Sequence, residues 1–289
     1  MPDAKIIDGS ALSAQLRQKV GEGVAILTAG GKAVQLTALL VGPTAASEMF
    51  AKRQAEACSS VGIGYAVLNL PAQSTTAEIA ARIDQLNNDA AVTGIMMHMP
   101  LPPQVDAAAL RQRIAPVKDV EGVTPANLGY VAYGKPLIAP FTALAAVELA
   151  KSTGVALRGA EAVVVGASET VGKPAGLLLL HERCTVTMCR STTRDLPGHT
   201  RRAEILIVAV GKPNFILADH VRDGAVVIDV GINRITLPDG TKRTVGDVDF
   251  DAVRRKAGHL TPVPGGVGPM TVAVLLQNTL RSAQLQAAS

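Results

Sequence analysis

The segment VVVGASETVGKP, residues 163–174, constrains the fold of this chain more than any other stretch. A run of β-branched residues ends at Gly166, and a helix-forming stretch, AGLLLL, follows Gly172 and Pro174. This order predicts a buried parallel strand, a tight glycine turn and a helix N-terminus that presents backbone N–H groups to a pyrophosphate. Three further strands are predicted in CTVTMCRS, AEILIVAVGKP and GAVVIDVGIN, and the series is typical of a dinucleotide-binding βαβ domain.

The residues after the second of these strands indicate which dinucleotide is bound. Sites specific for NAD usually carry Asp or Glu there, to hold the ribose 2′-hydroxyl. This chain has Arg190 and Ser191 instead, and a guanidinium with a hydroxyl suits a 2′-phosphate. The pattern therefore predicts NADP as the cofactor. The alternative is a solvated arginine at a strand end.

The first half of the chain predicts a second α/β unit. Strands are expected in LTALLVG (36–42), GYAVLNLP (64–71) and VTGIMMHMPLPP (92–103), with helices over 46–61 and about 76–88 between them. A connector over 129–140 leads to a helix over 142–153, and a closing helix follows the loop before Met270. We therefore expect two α/β domains with a cleft between them, the second a Rossmann-like dinucleotide-binding domain. The expected bounds are 1–122 with 268–289 for the substrate domain and 123–267 for the NADP domain.

Composition excludes several classes of protein. The chain is 48% hydrophobic and 18% charged, which is typical of a globular α/β protein. Aromatic residues make up 2% with no Trp, so stacking platforms for nucleic acid are scarce and no nucleic-acid partner is expected. The apolar runs are too short for a membrane span, and the N-terminus does not resemble a signal peptide. Three cysteines without C-x-x-C spacing fit a reducing cytoplasm and predict no metal site.

Several segments together resemble a known family over essentially the whole chain. TPVPGGVGPMT, residues 261–271, matches its signature, and GASETVGKP, VIDVGIN, GDV, PLP and KDVEG follow its landmarks in order. The chain thus resembles the bifunctional methylenetetrahydrofolate dehydrogenase/cyclohydrolases. The resemblance implies removal of a hydride from a one-carbon bridge between two nitrogens, followed by hydrolysis of the resulting cation. It also implies a homodimer built through the cofactor domain.

The resemblance places key side chains on the helix after LLVG, as a tyrosine followed four residues later by a lysine. Here those positions hold Phe50 and Gln54, which share one helix face. An amide has no useful acid–base chemistry near neutral pH, and Lys52 lies about 200° around the helix from Gln54. Phe50 retains a ring for stacking but lacks a phenolic hydroxyl. Ordinary helix packing is the alternative for both residues.

Two more substrate-side positions differ from the family pattern. His98 stands before PLP where the family has Gln, and Glu121 replaces the second Asp of its KDVDG. His98 is either a replacement base or a plain hydrogen-bonding residue, since imidazole titrates near neutrality. The extra methylene of Glu121 moves its carboxylate by about 1 Å, enough to disturb a hydrogen-bonding geometry. Phe141 stands in the family's Cys-Thr-Pro segment, again on the substrate side.

The predicted sites can be collected as follows. Catalytic candidates are the four substituted positions Phe50, Gln54, His98 and Glu121, and substrate binding is assigned to Phe50, Glu121, Pro264, Gly265 and Gly266. Cofactor binding is assigned to Gly166, Ala167, Ser168, Val171, Gly172, Arg190, Ser191, Val210, Gly211, Gly231, Ile232 and Thr271. Asp229 is expected either at the nicotinamide edge or as a turn cap. Lys118 and Asp119 are expected either to pair with each other or bridge the cleft, or to be solvated loop charges.

The cofactor half keeps the family pattern while the substrate-side residues change together. The first hypothesis is an NADP-dependent methylenetetrahydrofolate dehydrogenase whose cyclohydrolase activity is lost or reduced, because hydride transfer needs positioning whereas hydrolysis needs a proton carrier. The alternatives are an oxidoreductase acting on another imine or amine, a catalytically silent NADP-binding regulator, and a full bifunctional enzyme in which His98 replaces the lysine.

Overall fold

The computed structural model describes residues 2–237 and 239–288, which form two compact units. One unit consists of the chain up to Ser13 together with Thr142–Thr271, and the other of Ala14–Phe141 with the chain from Val272 onward. Both contain parallel sheets flanked by helices, which confirms the predicted α/β class and the Rossmann-like second domain. None of the helices in the described residues is long and apolar enough to cross a membrane.

The unit that contains Thr142–Thr271, hereafter the dinucleotide unit, is built on a parallel sheet of strand order β1-β11-β8-β7-β5-β6. Apolar runs such as VVID and ILIV are buried along their whole length, as strands covered on both faces require. The strands are β1 (Lys5–Ile6), β5 (Glu161–Val165), β6 (Thr185–Cys189), β7 (Ile205–Val208), β8 (Val226–Asp229) and β11 (His259–Leu260), with a hairpin of β9 (Asn233–Thr236) and β10 (Lys242–Val245).

Helices α6 (Phe141–Ser152), α7 (Gly172–His181), α8 (Leu196–Thr200) and α9 (Phe250–Arg254) connect these strands, and a 3-10 turn spans Ala218–His220. The N-terminal segment contributes β1, which pairs in parallel with β11. The expected domain bounds had grouped this segment with the substrate domain. Backbone pairing over Lys5 and Ile6 is the physical reason that it belongs with the dinucleotide unit.

The other unit, hereafter the substrate-side unit, has a parallel sheet of order β3-β2-β4. Its strands are β2 (Gln35–Val41), β3 (Gly64–Leu70) and β4 (Gly94–Met97), and its helices are α2 (Ala45–Ser59), α3 (Thr76–Asn88), α4 (Ala107–Arg113) and α5 (Pro125–Ala132). Two long helices, α1 (Gly9–Ala29) and α10 (Val267–Ala288), contribute most of their length to it. The predicted strand over 92–103 was too long, because Pro100 follows soon after β4 and cannot donate to a ladder.

The closing helix α10 packs firmly into the substrate-side unit. Leu275, Leu276 and Leu280 join a core cluster with Val20, Val24 and Leu36. The buried amide of Asn278 donates hydrogen bonds to the carbonyl oxygens of Val120 and Ala139, both at 2.9 Å. These bonds hold Val120, directly before Glu121, and Ala139, whose backbone lies against Gly122, so α10 supports a segment that carries a candidate site residue.

Candidate functional site

Helix α2 carries two of the predicted catalytic residues, and local sequence determines where it begins. Thr44 is the N-cap, and its hydroxyl accepts the N–H of Ser47, whose own hydroxyl accepts the N–H of Thr44. With this start, Phe50 and Gln54 lie one turn apart on one face, as expected. Gln54 is 4% exposed, whereas Phe50 is 48% exposed.

Gln54 is the centre of a hydrogen-bonded group. Its Oε1 lies 2.8 Å from Nε2 of His98 and accepts the hydroxyl hydrogen of Tyr65 at 2.9 Å. Its Nε2 lies 3.1 Å from the sulfur of Met96. The edge of the Phe50 ring packs against the His98 ring, with centroids 5.4 Å apart at 66°. The structure therefore brings together three of the four predicted catalytic residues, and Gln54 has polar contacts with three side chains in addition to its helix packing.

Tyr65 is a member of this group that the sequence analysis missed. It lies at the start of β3, paired with Leu36, while Met96 of β4 pairs with Ala38 of β2. A tyrosine side chain spans the offset of two residues, about 6.6 Å along the sheet. Tyr65 thus brings a phenol hydroxyl to Gln54 from β3. A tyrosine opening the strand that follows α2 was the one signal that pointed to it.

The side chain of Glu121 contacts the backbone next to His98. Oε2 of the half-buried Glu121 accepts the N–H of Met97, the residue before His98, at 3.2 Å. The pKa of Glu121 is raised to about 7, mainly by burial and also by the negative charge of Asp119, while the Met97 hydrogen bond and the positive charge of Arg111 oppose the rise. Glu121 therefore changes protonation near neutral pH, which a solvated glutamate does not.

Neither expectation for Lys118 and Asp119 was correct, because both side chains are buried and each has other partners. The Lys118 ammonium donates to the carbonyl oxygens of Leu86 and Asp89 at the end of α3, and burial lowers its pKa. The Asp119 carboxylate accepts the N–H groups of Gly122 and Thr124 and the Asn127 amide. Both residues shape the loop that carries Glu121.

In the dinucleotide unit, β5 leads through Gly166 to α7. Gly166 has φ +117, and a Cβ there would collide with the carbonyl oxygen of Ala209. A Cβ on Gly172 would collide with the carbonyl oxygen of Gly166. The Ser168 hydroxyl accepts the N–H groups of Val171 at 3.2 Å and Gly172 at 3.3 Å. The two glycines thus allow the close strand–turn–helix packing that the sequence predicted.

A pocket of about 370 Å³ lies beside this turn. It gathers five of the predicted cofactor residues, which are Gly166, Ala167, Arg190, Ser191 and Val210, with Leu196, Lys212 and Phe215 among the others. The Arg190 backbone is held by the Thr193 hydroxyl at 2.8 Å, and its side chain is exposed. The backbone of Arg190 is therefore fixed while its guanidinium, at the wall of the pocket, can contact a ligand.

A second, smaller pocket of about 130 Å³ contains the predicted substrate residues Pro264, Gly265 and Gly266 and the predicted cofactor residues Gly231 and Ile232. The Val263–Pro264 peptide bond is cis, and Gly265 has φ +106. Ile232 is 67% exposed, so it presents an apolar surface. Thr271 lies outside both pockets, and its hydroxyl donates to the carbonyl oxygen of Val267 within α10.

Two buried aspartates fix the loops around these pockets. Asp247 accepts the N–H groups of Val210, Gly211 and Lys212 and the amide of Asn233. Asp229 accepts the N–H groups of Gly231, Asp247 and Val248, so it is a turn cap, one of its two expected roles. Burial raises the pKa of Asp229 to about 6. The role of Asp247 was not predicted, although GDV was singled out as a segment.

The folds and pockets together define a two-unit α/β protein with a dinucleotide-binding site. Residues 7–121 match the catalytic domain of the tetrahydrofolate dehydrogenase/cyclohydrolase family, and residues 140–287 match its NAD(P)-binding domain. The chain therefore belongs to the tetrahydrofolate dehydrogenase/cyclohydrolase family.

Individual relatives agree with this assignment along their full length. The chain is 48% identical over 281 residues to the bifunctional protein FolD of Bordetella avium, covering 97% of this chain and 98% of that protein. The crystal structure of FolD from Campylobacter jejuni superposes with a TM-score of 0.93 at 40% identity, covering 98% of this chain and 99% of that one. The Trypanosoma brucei FolD, solved with NADP and an inhibitor, has a TM-score of 0.93 at 34% identity and covers all of both chains.

Proposed function

We propose that this protein is an NADP-dependent methylenetetrahydrofolate dehydrogenase whose cyclohydrolase activity is lost or reduced. The observation that carries the proposal is the buried amide of Gln54, at the position where the family resemblance implies a lysine. Its oxygen is engaged by Tyr65 and His98, and a primary amide neither gives up nor accepts a proton near neutral pH. Hydrolysis of a cationic intermediate needs such a proton carrier, whereas hydride transfer does not.

NADP as the cofactor is supported by the pocket beside α7. Gly166 and Gly172 allow the tight strand–turn–helix packing at the start of α7, since a Cβ at either would strike backbone, and a turn of this kind is where a pyrophosphate binds. Arg190 at the wall of the pocket suits a 2′-phosphate, because a guanidinium forms paired, charge-assisted hydrogen bonds with phosphate oxygens. The bound cofactor would supply the hydride acceptor. The NADP complex of the Trypanosoma brucei relative is in line with this choice.

The dehydrogenase step makes modest demands on the protein. The C–H bond of the one-carbon bridge would break with its electron pair, which bound NADP⁺ would accept as a hydride, and a nitrogen lone pair would stabilise the cation that remains. The chain has to bind and orient the folate for this transfer. The exposed Phe50 ring offers a stacking surface, and the Glu121 carboxyl offers hydrogen bonds to a polar ring edge.

A second candidate is the full bifunctional enzyme. The specific observation in its favour is the 2.8 Å contact between His98 Nε2 and Gln54 Oε1, which brings an imidazole next to the position assigned to the lysine. Imidazole exchanges protons near neutral pH, so His98 is the candidate replacement. Several relatives with 46–48% identity carry the name bifunctional protein FolD.

Two absorbance assays on the purified protein separate these candidates. One supplies methylenetetrahydrofolate with NADP⁺, and the other supplies methenyltetrahydrofolate alone. We expect NADPH formation without hydrolysis of the methenyl compound; rapid hydrolysis would favour the bifunctional enzyme. No reaction in either assay, with NADPH binding still measurable, would indicate an oxidoreductase that acts on another imine or amine, or a catalytically silent regulator. The same proposal includes that the protein is a homodimer, and light scattering would measure its mass in solution.

A further inference from the structure

Tyr65, Gln54 and His98 form a short hydrogen-bonded chain. The Tyr65 hydroxyl lies 2.9 Å from Gln54 Oε1, and the same oxygen lies 2.8 Å from His98 Nε2. An amide oxygen only accepts hydrogen bonds, so both neighbours must donate to it. The His98 bond therefore requires the ring hydrogen on Nε2, and a neutral ring then keeps its lone pair on Nδ1.

The Tyr65 hydroxyl donates its hydrogen in this arrangement. Its ring packs against a buried cluster of Ala38, Leu40 and Ala51, which anchors it beside α2. Burial raises the pKa of Tyr65, so the hydroxyl retains its hydrogen across the physiological range. Burial also lowers the pKa of His98, which favours the neutral ring. The two residues therefore contact Gln54 as a neutral phenol and a neutral imidazole.

We propose that Tyr65 is a positioning residue for the reaction: its hydroxyl fixes the Gln54 amide so that His98 is held as the Nε2–H tautomer, with Nδ1 as the ring's acceptor toward substrate or water. This inference rests on the proposed function for its kinetic part and on the hydrogen bonds alone for its tautomer part.

The oxygen and the NH₂ group of an amide have nearly the same shape, so a half-turn of the side chain exchanges an acceptor for a donor. This exchange explains what loss of the Tyr65 hydroxyl would do. Rotation of the Gln54 amide by half a turn would place its NH₂ group toward His98, where it would donate to Nε2 rather than accept from it. The ring hydrogen would then move to Nδ1, and the acceptor would face Gln54 instead of a ligand. The Tyr65 hydroxyl opposes this rotation, because its hydrogen would lose the Gln54 oxygen, its acceptor among the described residues, and the Gln54 NH₂ group would also lose the Met96 sulfur. The edge contact with Phe50 holds the ring itself.

The test is nitrogen NMR of the full chain with histidine labelled in its ring nitrogens, comparing wild type with Tyr65→Phe. The signals of His98 are identified by their loss in His98→Asn. In wild type we expect a protonated Nε2 and an unprotonated Nδ1. In Tyr65→Phe we expect the ratio of the two tautomers to shift by about threefold to tenfold, as the loss of one hydrogen bond allows. Tyr133→Phe is the matched control, because that tyrosine is 87% exposed.

Kinetics provide the second readout. We expect Tyr65→Phe to lower kcat/KM for methylenetetrahydrofolate by about threefold to tenfold and to leave KM for NADP⁺ unchanged. Identical ring signals in wild type and Tyr65→Phe would overturn the proposal. A changed tautomer with unchanged kcat/KM would also overturn it, since Tyr65 would then not position anything that the reaction uses.

Two further results bear on the proposal, one from a second variant and one from the wild type. If Tyr65→Phe folds poorly, Gln54→Met removes the shared acceptor instead and should release the His98 tautomer in the same way; unchanged His98 signals there would overturn the proposal. If wild type oxidises no folate, the proposed function fails. In that case the His98 nitrogen signals alone test the tautomer part of the proposal.

Discussion

The oxygen of the Gln54 amide lies 2.8 Å from Nε2 of His98, so two residues that differ from the family pattern are bonded to each other. The two positions lie on different elements, one within α2 and one directly after β4. Tyr65 completes the group from β3. Gln54, His98 and Tyr65 thus form one hydrogen-bonded group that joins three elements of the substrate-side unit.

Restoring the amine should restore proton transfer. In Gln54→Lys we expect hydrolysis of methenyltetrahydrofolate to rise by about tenfold to a hundredfold, because a buried lysine has a lowered pKa and exchanges protons near neutrality. The absorbance of the methenyl compound measures the rate. The matched control is Lys52→Gln, an exposed residue on the same helix, which should change nothing. Wild-type hydrolysis as fast as that of Gln54→Lys would contradict this prediction.

Arg190 should determine the preference for the phosphorylated cofactor. In Arg190→Ala we expect KM for NADP⁺ to rise by about tenfold to a hundredfold, since a charge-assisted bond to phosphate is lost, while KM for NAD⁺ changes little. Initial rates at varied cofactor concentration measure both. Arg158→Ala removes another exposed arginine of the dinucleotide unit and serves as the control. An equal loss with both cofactors would show that Arg190 does not contact the 2′-phosphate.

Glu121 should make stability depend on pH. Its pKa of about 7 in the folded chain lies above the ordinary value of 4.5, so between these values the folded state holds a proton that the unfolded state has released. Stability therefore falls as pH rises through this window, by about 3 kcal/mol in total. Urea unfolding at a series of pH values should show this decline in wild type and a flatter profile in Glu121→Gln.

The control for this measurement is Glu56→Gln, an exposed glutamate on α2, whose profile should follow that of wild type. Parallel profiles for wild type and Glu121→Gln would mean that Glu121 titrates at an ordinary pKa. The difference between the wild-type and Glu121→Gln profiles is the quantity that isolates Glu121.

Asn278 should be needed for stability although it is far along the chain from the residues it supports. In Asn278→Ala the carbonyl oxygens of Val120 and Ala139 lose their amide donor, and we expect the free energy of unfolding to fall by about 2 kcal/mol or more. Urea unfolding measures the loss. Gln277→Ala changes an exposed neighbour on the same helix and should have little effect. A loss no larger than that of the control would contradict the prediction.

Much of the fold followed from the sequence because its signals are local. The β-branched run before Gly166 gave β5, and the threonine and glutamate at Thr75 and Glu78 form the capping box that starts α3, whose predicted span of about 76–88 matches the observed Thr76–Asn88. Short helices with weak periodicity, α4 and α5, were not predicted, and α5 begins before the expected connector. The pairing of β1 with β11 was also missed, because it joins residues far apart in the chain.

The sequence by itself determined which chemical groups this protein has, above all an amide at Gln54, an imidazole at His98 and a guanidinium at Arg190. Tertiary structure decided which of them meet. Burial and packing brought Tyr65 to Gln54, turned Lys118 toward the end of α3, and raised the pKa of Glu121. Contact and desolvation depend on residues distant in the chain, and no local pattern carries that information.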